Sequence, residues 1–192
     1  MQESIKGSKT EQNLLKAFAG ESQARMRYEM FAKKAKEEGY VQISNIFLET
    51  ADQERSHAKR FFSFLEGGMT EITASYPAGK VGTTADNLKA AAEGENEEWS
   101  DLYPSFAETA LEEGFPKIAQ VFKVIASVEV EHEKRYLKLL QNLSEDKVFM
   151  KDGKVWWECT VCGYTYEARK AMENCPACLH SKAYMQLKKE NY

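Results

Sequence analysis

Two glutamate–histidine pairs with identical spacing are the residues of this 192-residue chain best suited to metal chemistry. Glu54 precedes His57 by three positions and Glu129 precedes His132 by three, so the pairs use two of the three histidines in the sequence. Residues three apart share one face of a helix, and each pair therefore presents a carboxylate and an imidazole to one ion. Mixed oxygen and nitrogen ligands of this kind suit iron or manganese.

Two further glutamates, Glu21 and Glu95, lie among apolar residues at helical spacing, as the glutamates of the two pairs do. An unpaired carboxylate in a helical core is strongly destabilising, so a cation must compensate it. A bond to Arg25 or Arg27 is the simpler alternative for any one of them. Four helices that each supply an inward glutamate, two of them with a histidine, match the ligand pattern of a carboxylate-bridged di-metal bundle. We therefore predict two irons.

Glu98 breaks the symmetry of this arrangement. It follows Glu95 by one helical turn on the same face, whereas the equivalent helix of the first half has no second acid after Glu21. One interpretation is a solvated glutamate in the acidic run 93–98. The other is an additional ligand for one of the two irons.

All four cysteines form a second constellation near the C-terminus. They are arranged as two Cys-x2-Cys pairs separated by twelve residues, an array typical of a tetrahedral thiolate metal site, and they are Cys159, Cys162, Cys175 and Cys178. A disulfide framework would instead distribute its cysteines through the fold. The spacing does not choose the metal: zinc would be structural, whereas iron would carry one electron.

Apolar periodicity and turn residues indicate four helices that position the first site. Ser8 and Glu11 are spaced as a capping box, Gly39 and Gly114 are placed to end helices, and Gly67-Gly68 to end another. The aperiodic stretch 67–83 is long for a bundle loop, so it is predicted to cross over the end of the bundle. The predicted helices are 9–38, 41–66, 84–113 and 116–143.

An internal repeat supports this division. With a shift of 75 positions, Glu37-Glu38-Gly39 matches Glu112-Glu113-Gly114, and each residue of the first glutamate–histidine pair matches its counterpart in the second. Gly20-Glu21 matches Gly94-Glu95 with a shift of 74, so one residue has been gained between Glu95 and Leu111. The repeat predicts a duplicated helical hairpin.

Composition changes near residue 145, and the chain is divided into a bundle, 1–146, and a small domain, 147–192. Strands are predicted at 154–158, 164–167 and 184–187. A domain of this size has little core, which a bound metal would compensate. Its aromatic residues are expected to form that core: Trp156, Trp157, Tyr164, Tyr166 and Tyr184. His180 is read as an ordinary loop residue or as part of an electron path.

Charge and hydropathy exclude several classes of function. The net charge is −4 and there is no basic run, which argues against nucleic acid as a partner. No apolar stretch approaches the length of a membrane span, and the N-terminal MQESIKGSKTEQ lacks the apolar core of a signal peptide. A cytoplasmic location is expected.

The two sites together resemble the rubrerythrin family over essentially the whole chain. The resemblance rests on both metal motifs and on their flanking residues: Ala19 to Arg25, Asp52 to Arg60, Glu95-x-x-Glu98, Glu129 to Arg135, Cys159-x2-Cys162-Gly-Tyr and Cys175-Pro-x-Cys178. It implies a mostly α fold, with a ferritin-like four-helix bundle that has one long crossover and a C-terminal rubredoxin-like β domain. It also implies a carboxylate-bridged di-iron centre and one iron in the four-cysteine site.

Roles for single residues come from that resemblance alone. It implies that Glu54 and Glu129 bridge the irons, and that Tyr28 and Tyr103 lie near enough to hydrogen-bond ligands or peroxide. In the family the first iron exchanges a carboxylate for an imidazole on reduction. The remaining implied ligands are Glu21 on the first iron, Glu95 with His132 on the second, and Glu98 exchanged for His57 on the first.

The implied activity is a non-haem peroxidase that reduces hydrogen peroxide to water, with Glu98 as the proton relay and the four-cysteine iron as the electron relay. The electrons would come from rubredoxin or an NAD(P)H-dependent reductase, an NADH-linked supply through separate proteins. A head-to-tail homodimer, or a higher oligomer, is implied as well. The alternatives are oxygen reduction or ferroxidase chemistry at the same centre, iron handling, and a zinc-filled scaffold without redox chemistry.

Overall fold

The computed structural model describes residues 4–190 and confirms a mostly helical fold with a small C-terminal sheet. Four long helical segments form the bundle, and the third of them is divided by a π-helical turn. The helices are α1 (Lys9–Glu37), α2 (Val41–Phe62), α3 (Thr84–Glu97), the π turn (Glu98–Leu102), α4 (Tyr103–Glu112) and α5 (Pro116–Ser144). Over residues 4–190, no helix is both long and apolar enough to cross a bilayer.

Glycine ends α1 and α4 in the same way, as the repeat predicts. Gly39 and Gly114 have φ of +86° and +82°, a conformation that glycine adopts without a steric penalty. The residue after each glycine donates its amide to a carbonyl in the last turn of the helix. The Tyr40 amide donates to the Ala35 carbonyl at 2.8 Å, and the Phe115 amide donates to the Ala110 carbonyl at 2.7 Å. These bonds satisfy carbonyls that a helix end otherwise leaves free.

Two details of the predicted helices are wrong. The carboxylate of Glu11 accepts from the Gly7 amide at 2.8 Å rather than from Ser8, although Ser8 Oγ accepts from the Glu11 amide as expected. Helix α2 ends at Phe62, four residues before the predicted end. The Leu65 amide bonds to the carbonyl of Phe62, three residues back, so the chain tightens and leaves the α-helix before it reaches the glycines.

The π turn accounts for the residue gained in the second half of the repeat. The amide of Tyr103 donates to the carbonyl of Glu98, five residues back, where an α-helix would use four. One extra residue is therefore absorbed within the turn, between α3 and α4. The predicted continuous helix 84–113 is thus interrupted at Glu98, three residues after Glu95.

Each half of the repeat caps the first helix of the other half. Glu38, at the end of α1, accepts from the backbone amide and the hydroxyl of Thr84 at 2.9 and 2.6 Å. Glu113, at the end of α4, accepts from the amide and the hydroxyl of Thr10 at 2.7 and 2.6 Å. Carboxylates are favoured at helix N-termini, where free amides and the helix dipole attract negative charge. The two hairpins are therefore joined by reciprocal caps.

We expect Glu38→Gln and Glu113→Gln each to lower the free energy of unfolding by about 1 kcal/mol at neutral pH. The pKa of both carboxyls is lowered, because the threonine hydrogen bonds outweigh the opposing effect of burial. A lowered folded-state pKa stabilises the fold above the unfolded-state value, about 4.3, and this stabilisation is lost as the pH falls through the folded-state pKa. Chemical denaturation at several pH values tests this.

Glu37→Gln and Glu112→Gln are matched controls for the caps, since they remove an exposed carboxylate one position away on the same helices. They should change stability little at any pH. A loss in the control variants as large as in the cap variants would contradict the assignment of Glu38 and Glu113 as caps.

The core of the bundle consists of two apolar clusters. One contains Phe31, Phe47, Leu88 and several other residues from α1, α2, α3 and α5. The other contains Leu14, Phe61 and further apolar residues, including side chains of α4. Their side chains are almost fully removed from water, and this burial is the main force that holds the helices together.

The C-terminal region forms a three-stranded sheet in the order β2-β1-β3, with β1 at Met150–Cys159, β2 at Thr165–Lys170 and β3 at Met185–Leu187. Trp157 is 1% exposed, whereas Trp156 is 53% exposed, because consecutive strand residues point to opposite faces. The prediction that both tryptophans are core residues is therefore wrong for Trp156. Tyr164 is also exposed, at 37%, so the core prediction is wrong for this residue too.

The sheet region contacts the bundle at the turn between α1 and α2. The rings of Tyr40 and Phe149 stack with centroids 6.0 Å apart. A β-carbon at Gly39 would lie only 3.8 Å from Cβ of Ala183. Helix α5 ends at Ser144 and β1 begins at Met150, and the domain boundary at 146/147 stays a prediction.

Candidate metal centres

Each of the four bundle segments contributes one buried glutamate to the interior. The side chains of Glu21, Glu54, Glu95 and Glu129 come from α1, α2, α3 and α5, and each residue is at most 1% exposed. The two arginines that were the alternative partners bond elsewhere: Arg25 pairs with Glu29 at 3.1 Å, and Arg27 donates to Gln23 at 2.7 Å. The simpler explanation of these carboxylates as arginine-bonded is therefore not supported.

His57 lies at the centre of the first group of carboxylates. Its Nδ1 is 3.0 Å from an oxygen of Glu54, 3.0 Å from one of Glu129 and 3.8 Å from one of Glu21. Two ligand atoms that are each about 2.1 Å from one ion, at right angles, lie about 3 Å apart. These four side chains are thus spaced as the ligands of a single ion.

His132 lies at the centre of the second group of carboxylates, as His57 does in the first. Its Nδ1 lies 2.7 Å from Glu129, 3.1 Å from Glu54 and 3.4 Å from Glu95. Glu54 and Glu129 belong to both groups, and each directs one oxygen to each histidine. The two groups therefore form one site with two positions and two shared carboxylates.

The hydrogen bonding of the site fits bound cations. Six buried polar atoms of its candidate ligands make no hydrogen bond within the described residues: Oε2 of Glu21, Oε1 of Glu54, Oε2 of Glu95, both carboxylate oxygens of Glu129, and Nδ1 of His132. Buried polar atoms without partners are rare in stable folds. Free lone pairs that converge on two points are explained by two metal ions, and the donor set suits iron.

The electrostatics of the site also favour positive charge at its centre. Burial opposes ionisation of Glu54, but the close approach of the His132 and His57 imidazoles outweighs that effect and lowers its pKa to about 2. Burial likewise disfavours protonated imidazoles, but the surrounding carboxylates raise the pKa of His57 to about 9 and that of His132 to about 12. Burial and the charge of Glu54 raise the pKa of Glu95 to about 8.

Tyr28 and Tyr103 are placed symmetrically about the metal ligands. Each is 1% exposed, and each donates a short hydrogen bond from its hydroxyl, Tyr28 to Glu95 and Tyr103 to Glu21. Burial is the main cause that raises the pKa of both phenols, so they remain protonated donors. These hydrogen bonds hold Glu95 and Glu21, each of which belongs to only one of the two groups.

Gln53 is a contact of the site that the sequence analysis missed. Its side-chain oxygen lies 3.0 Å from Nε2 of His132 and accepts the ring N–H, which leaves Nδ1 for the metal position. Partners of this kind orient metal-binding imidazoles and set their tautomer. Gln53 precedes Glu54 on α2, and its residue type and spacing carry no signal for a contact with α5.

Glu98 lies outside both four-residue groups. It is the first residue of the π turn, is partly buried, and lines a cavity together with Tyr103. Burial and the charge of Glu95 raise its pKa well above the usual value. After burial, the charge of Glu98 is the largest cause of the raised pKa of Glu21.

The four cysteines converge as predicted. Sγ of Cys159 is 3.7 Å from Sγ of Cys178, Sγ of Cys162 is 3.6 Å from Sγ of Cys175, and all four sulfurs lie within 4.8 Å of one another. Sulfurs bound tetrahedrally at about 2.3 Å are about 3.8 Å apart. Cys159 and Cys175 are buried, whereas Cys162 is exposed, so one edge of this site faces solvent.

Family models match both parts of the chain. The model described as Rubrerythrin matches residues 12–140, and the model described as Rubrerythrin, rubredoxin-like domain, matches residues 157–186. The first contains all of the candidate bundle ligands. The second contains all four cysteines.

Similar proteins extend over nearly the full length. A rubrerythrin of Porphyromonas gingivalis is 62% identical over all of this chain and 96% of its own, and a rubrerythrin of Nitratidesulfovibrio vulgaris is 55% identical over 96% of each. The solved structure of fully reduced, all-ferrous nigerythrin aligns with a TM-score of 0.63 at 32% identity. That alignment covers 96% of this chain and 91% of the other.

Proposed function

The chain belongs to the rubrerythrin family, and from this premise we propose that it is a peroxidase that reduces hydrogen peroxide to water. The bundle carries a di-iron carboxylate–histidine site, and the small domain carries a four-cysteine metal cluster. The observation that carries the proposal is the pair of histidine-centred carboxylate groups that share Glu54 and Glu129 beside a cavity lined by an additional acid, Glu98. Two adjacent irons supply two electrons, as cleavage of an O–O bond requires.

The proposed ligand roles follow the geometry of the two groups. Glu54 and Glu129 bridge the two positions, because each lies in both groups. Glu21 binds at the His57 position, and Glu95 binds with His132 at the other. Glu98 is the proposed alternative ligand to His57, since it lines the same cavity as Tyr103, whose hydroxyl donates to Glu21 at that position.

Protons are delivered by the residues around the site. Burial and nearby carboxylates raise the pKa of Glu98, which favours its protonated form. A protonated carboxyl beside a solvent-accessible cavity is a suitable general acid for the departing oxygen. Tyr28 and Tyr103 fix the orientation of Glu95 and Glu21 through their hydroxyl groups, and each phenol oxygen can in addition accept a hydrogen bond from a bound peroxide.

The four-cysteine domain is the proposed route for electrons into the bundle. The four cysteines would hold one iron, which would supply one-electron transfer to the bundle. Cys162 is exposed and gives an outside donor access to this iron. Rubredoxin or an NAD(P)H-dependent reductase is the proposed donor, with NADH as the ultimate source. A head-to-tail homodimer in the cytoplasm is the proposed setting.

Glu98→Gln is expected to lower the peroxide turnover of the iron-loaded protein about 100-fold, because the side chain then has no acidic proton to transfer. The bundle should keep both irons, since the six residues of the two groups are unchanged. Anaerobic assays of peroxide consumption over a range of pH, together with iron analysis, measure both effects.

Glu93→Gln, an exposed change on α3, is the matched control and should retain full turnover. Unchanged turnover in Glu98→Gln would contradict the role of Glu98 as proton relay.

A further inference from the structure

A cavity of about 290 Å³ lies between α1, the π turn with α4, and the crossover strap, defined here as residues 73–77. Hydrogen peroxide has two heavy atoms and is little larger than water, whose share of the liquid volume is about 30 Å³. The cavity is therefore several times larger than hydrogen peroxide alone requires.

The cavity reaches the metal centre at its inner end. Tyr103 lines it although this residue is only 1% exposed, and the Tyr103 hydroxyl donates to Glu21. Glu98 lines the same end beside the π turn. A molecule in the cavity is thus next to Glu98, the proposed proton donor. It also contacts Tyr103, the side chain that bonds to the proposed metal ligand Glu21.

Most of the remaining wall is apolar. The apolar part is built from Ala17 of α1, Phe106 of α4, and Ala74, Tyr76 and Pro77 of the strap. Polar and charged side chains complete the lining, and they are Lys16, Gln23, Arg27, Thr73, Ser75 and Glu97. The strap is held over α1 by a hydrogen bond of 2.8 Å from the Tyr76 hydroxyl to the Lys16 carbonyl. The strap therefore forms a wall of the cavity.

Two glycines that the repeat makes equivalent keep the cavity open. A β-carbon at Gly20 would lie 3.6 Å from the Tyr76 ring, and one at Gly94 would lie 3.6 Å from the Arg27 guanidinium. Any longer side chain at either position would project into the space that the cavity occupies. The width of the cavity is consequently set by these two positions and by the strap.

An apolar chamber with an acid and a phenol at its inner end suits a ligand with an apolar body and a small polar head. We propose that this cavity binds alkyl hydroperoxides, with the hydroperoxy group toward Glu98 and Tyr103 and the alkyl group against the strap. This rests on the peroxidase function proposed above and widens its substrate class from hydrogen peroxide to ROOH.

The electrons and one of the protons that this reaction needs come from groups already assigned a role. The O–O bond of the hydroperoxide breaks, and two electrons come from the reduced di-iron pair that the proposed function requires. One proton comes from Glu98 and one from solvent water through the open cavity, and the products are one alcohol and one water. The alcohol leaves through the cavity, since its alkyl group still occupies it.

Filling the cavity from the strap tests the proposal. Ala74→Phe adds a ring to an exposed strap residue that lines the cavity, so the core is not disturbed. We expect the ratio of kcat/KM for cumene hydroperoxide to kcat/KM for hydrogen peroxide to fall at least about ten-fold. Ala78→Phe makes the same change on the neighbouring exposed segment outside the cavity, and should leave both rates and their ratio unchanged.

A binding measurement separates this proposal from the peroxidase proposal. Crystals of the iron-loaded, oxidised protein are soaked in 2-phenylpropan-2-ol, the alcohol formed from cumene hydroperoxide, and the expected result is density for it between the strap and Phe106. An unchanged ratio in Ala74→Phe, or an empty cavity after soaking, would overturn the proposal. If the wild-type protein reduced neither peroxide but the alcohol bound in the cavity, the peroxidase proposal alone would fail.

Discussion

Replacing Glu129 by glutamine should remove both irons from the bundle and lower peroxide turnover at least about 100-fold. The reason is that this carboxylate serves both metal positions: one oxygen lies 3.0 Å from Nδ1 of His57 and the other 2.7 Å from Nδ1 of His132. Neither oxygen has a hydrogen-bond partner within the described residues, so coordination is the interaction that would be lost. A glutamine has only one oxygen with which to replace two ligand atoms.

Iron analysis of purified Glu129→Gln measures the effect, with the four-cysteine iron quantified separately from its visible absorption. Glu131→Gln is the matched control, because Glu131 lies on the same helix but is exposed and paired with Lys134 at 2.7 Å. The control should hold two bundle irons per chain. Retention of both bundle irons in Glu129→Gln would show that the carboxylate is not a shared ligand.

Cys175→Ser is the second change with a large expected effect. Cys175 is 0% exposed and packs with Trp157 and Met185, so its loss removes a metal ligand from the centre of the small domain. Metal binding contributes about 10–16 kcal/mol to the folding of small thiolate domains. We expect the domain to lose its iron and its fold, and steady-state peroxide turnover to fall at least about 100-fold because electrons no longer reach the bundle.

The bundle of Cys175→Ser should still react once with peroxide after chemical reduction, since its ligands lie on other elements. Single-turnover and steady-state measurements on the same sample separate these two effects. Thr160→Ser, which keeps the hydroxyl that donates to the Tyr184 carbonyl at 3.0 Å, is the control and should retain both. Normal steady-state turnover in Cys175→Ser would rule out the four-cysteine iron as the electron relay.

Spacing and repetition were sufficient to predict much of the architecture. The glutamate–histidine pairs fix their own geometry because residues three apart on a helix are neighbours whatever the helix packs against. The helix ends at Gly39 and Gly114 could also be predicted from local sequence, because the positive φ at each position is one that glycine adopts readily. The convergence of the proposed ligands on two metal positions follows from the known ligand pattern of di-metal four-helix bundles.

Other features depend on contacts between distant segments and were not predictable in this way. The repeat showed that a residue was gained after Glu95, but not that a π turn absorbs it at Glu98. The cap from Glu38 to Thr84 and the contact from Gln53 to His132 join different helices. The cavity needs the crossover strap to lie over α1, and an aperiodic sequence contains no signal for that placement.

The most direct test of the peroxidase proposal is anaerobic stopped-flow spectroscopy of the iron-loaded, fully reduced protein. The protein is mixed with one equivalent of hydrogen peroxide and, separately, with one equivalent of oxygen. The peroxidase account predicts fast oxidation of the di-iron pair by peroxide, followed by oxidation of the four-cysteine iron, with a much slower reaction with oxygen. Fast oxidation by oxygen with a sluggish reaction with peroxide would contradict the account and identify oxidase or ferroxidase chemistry instead.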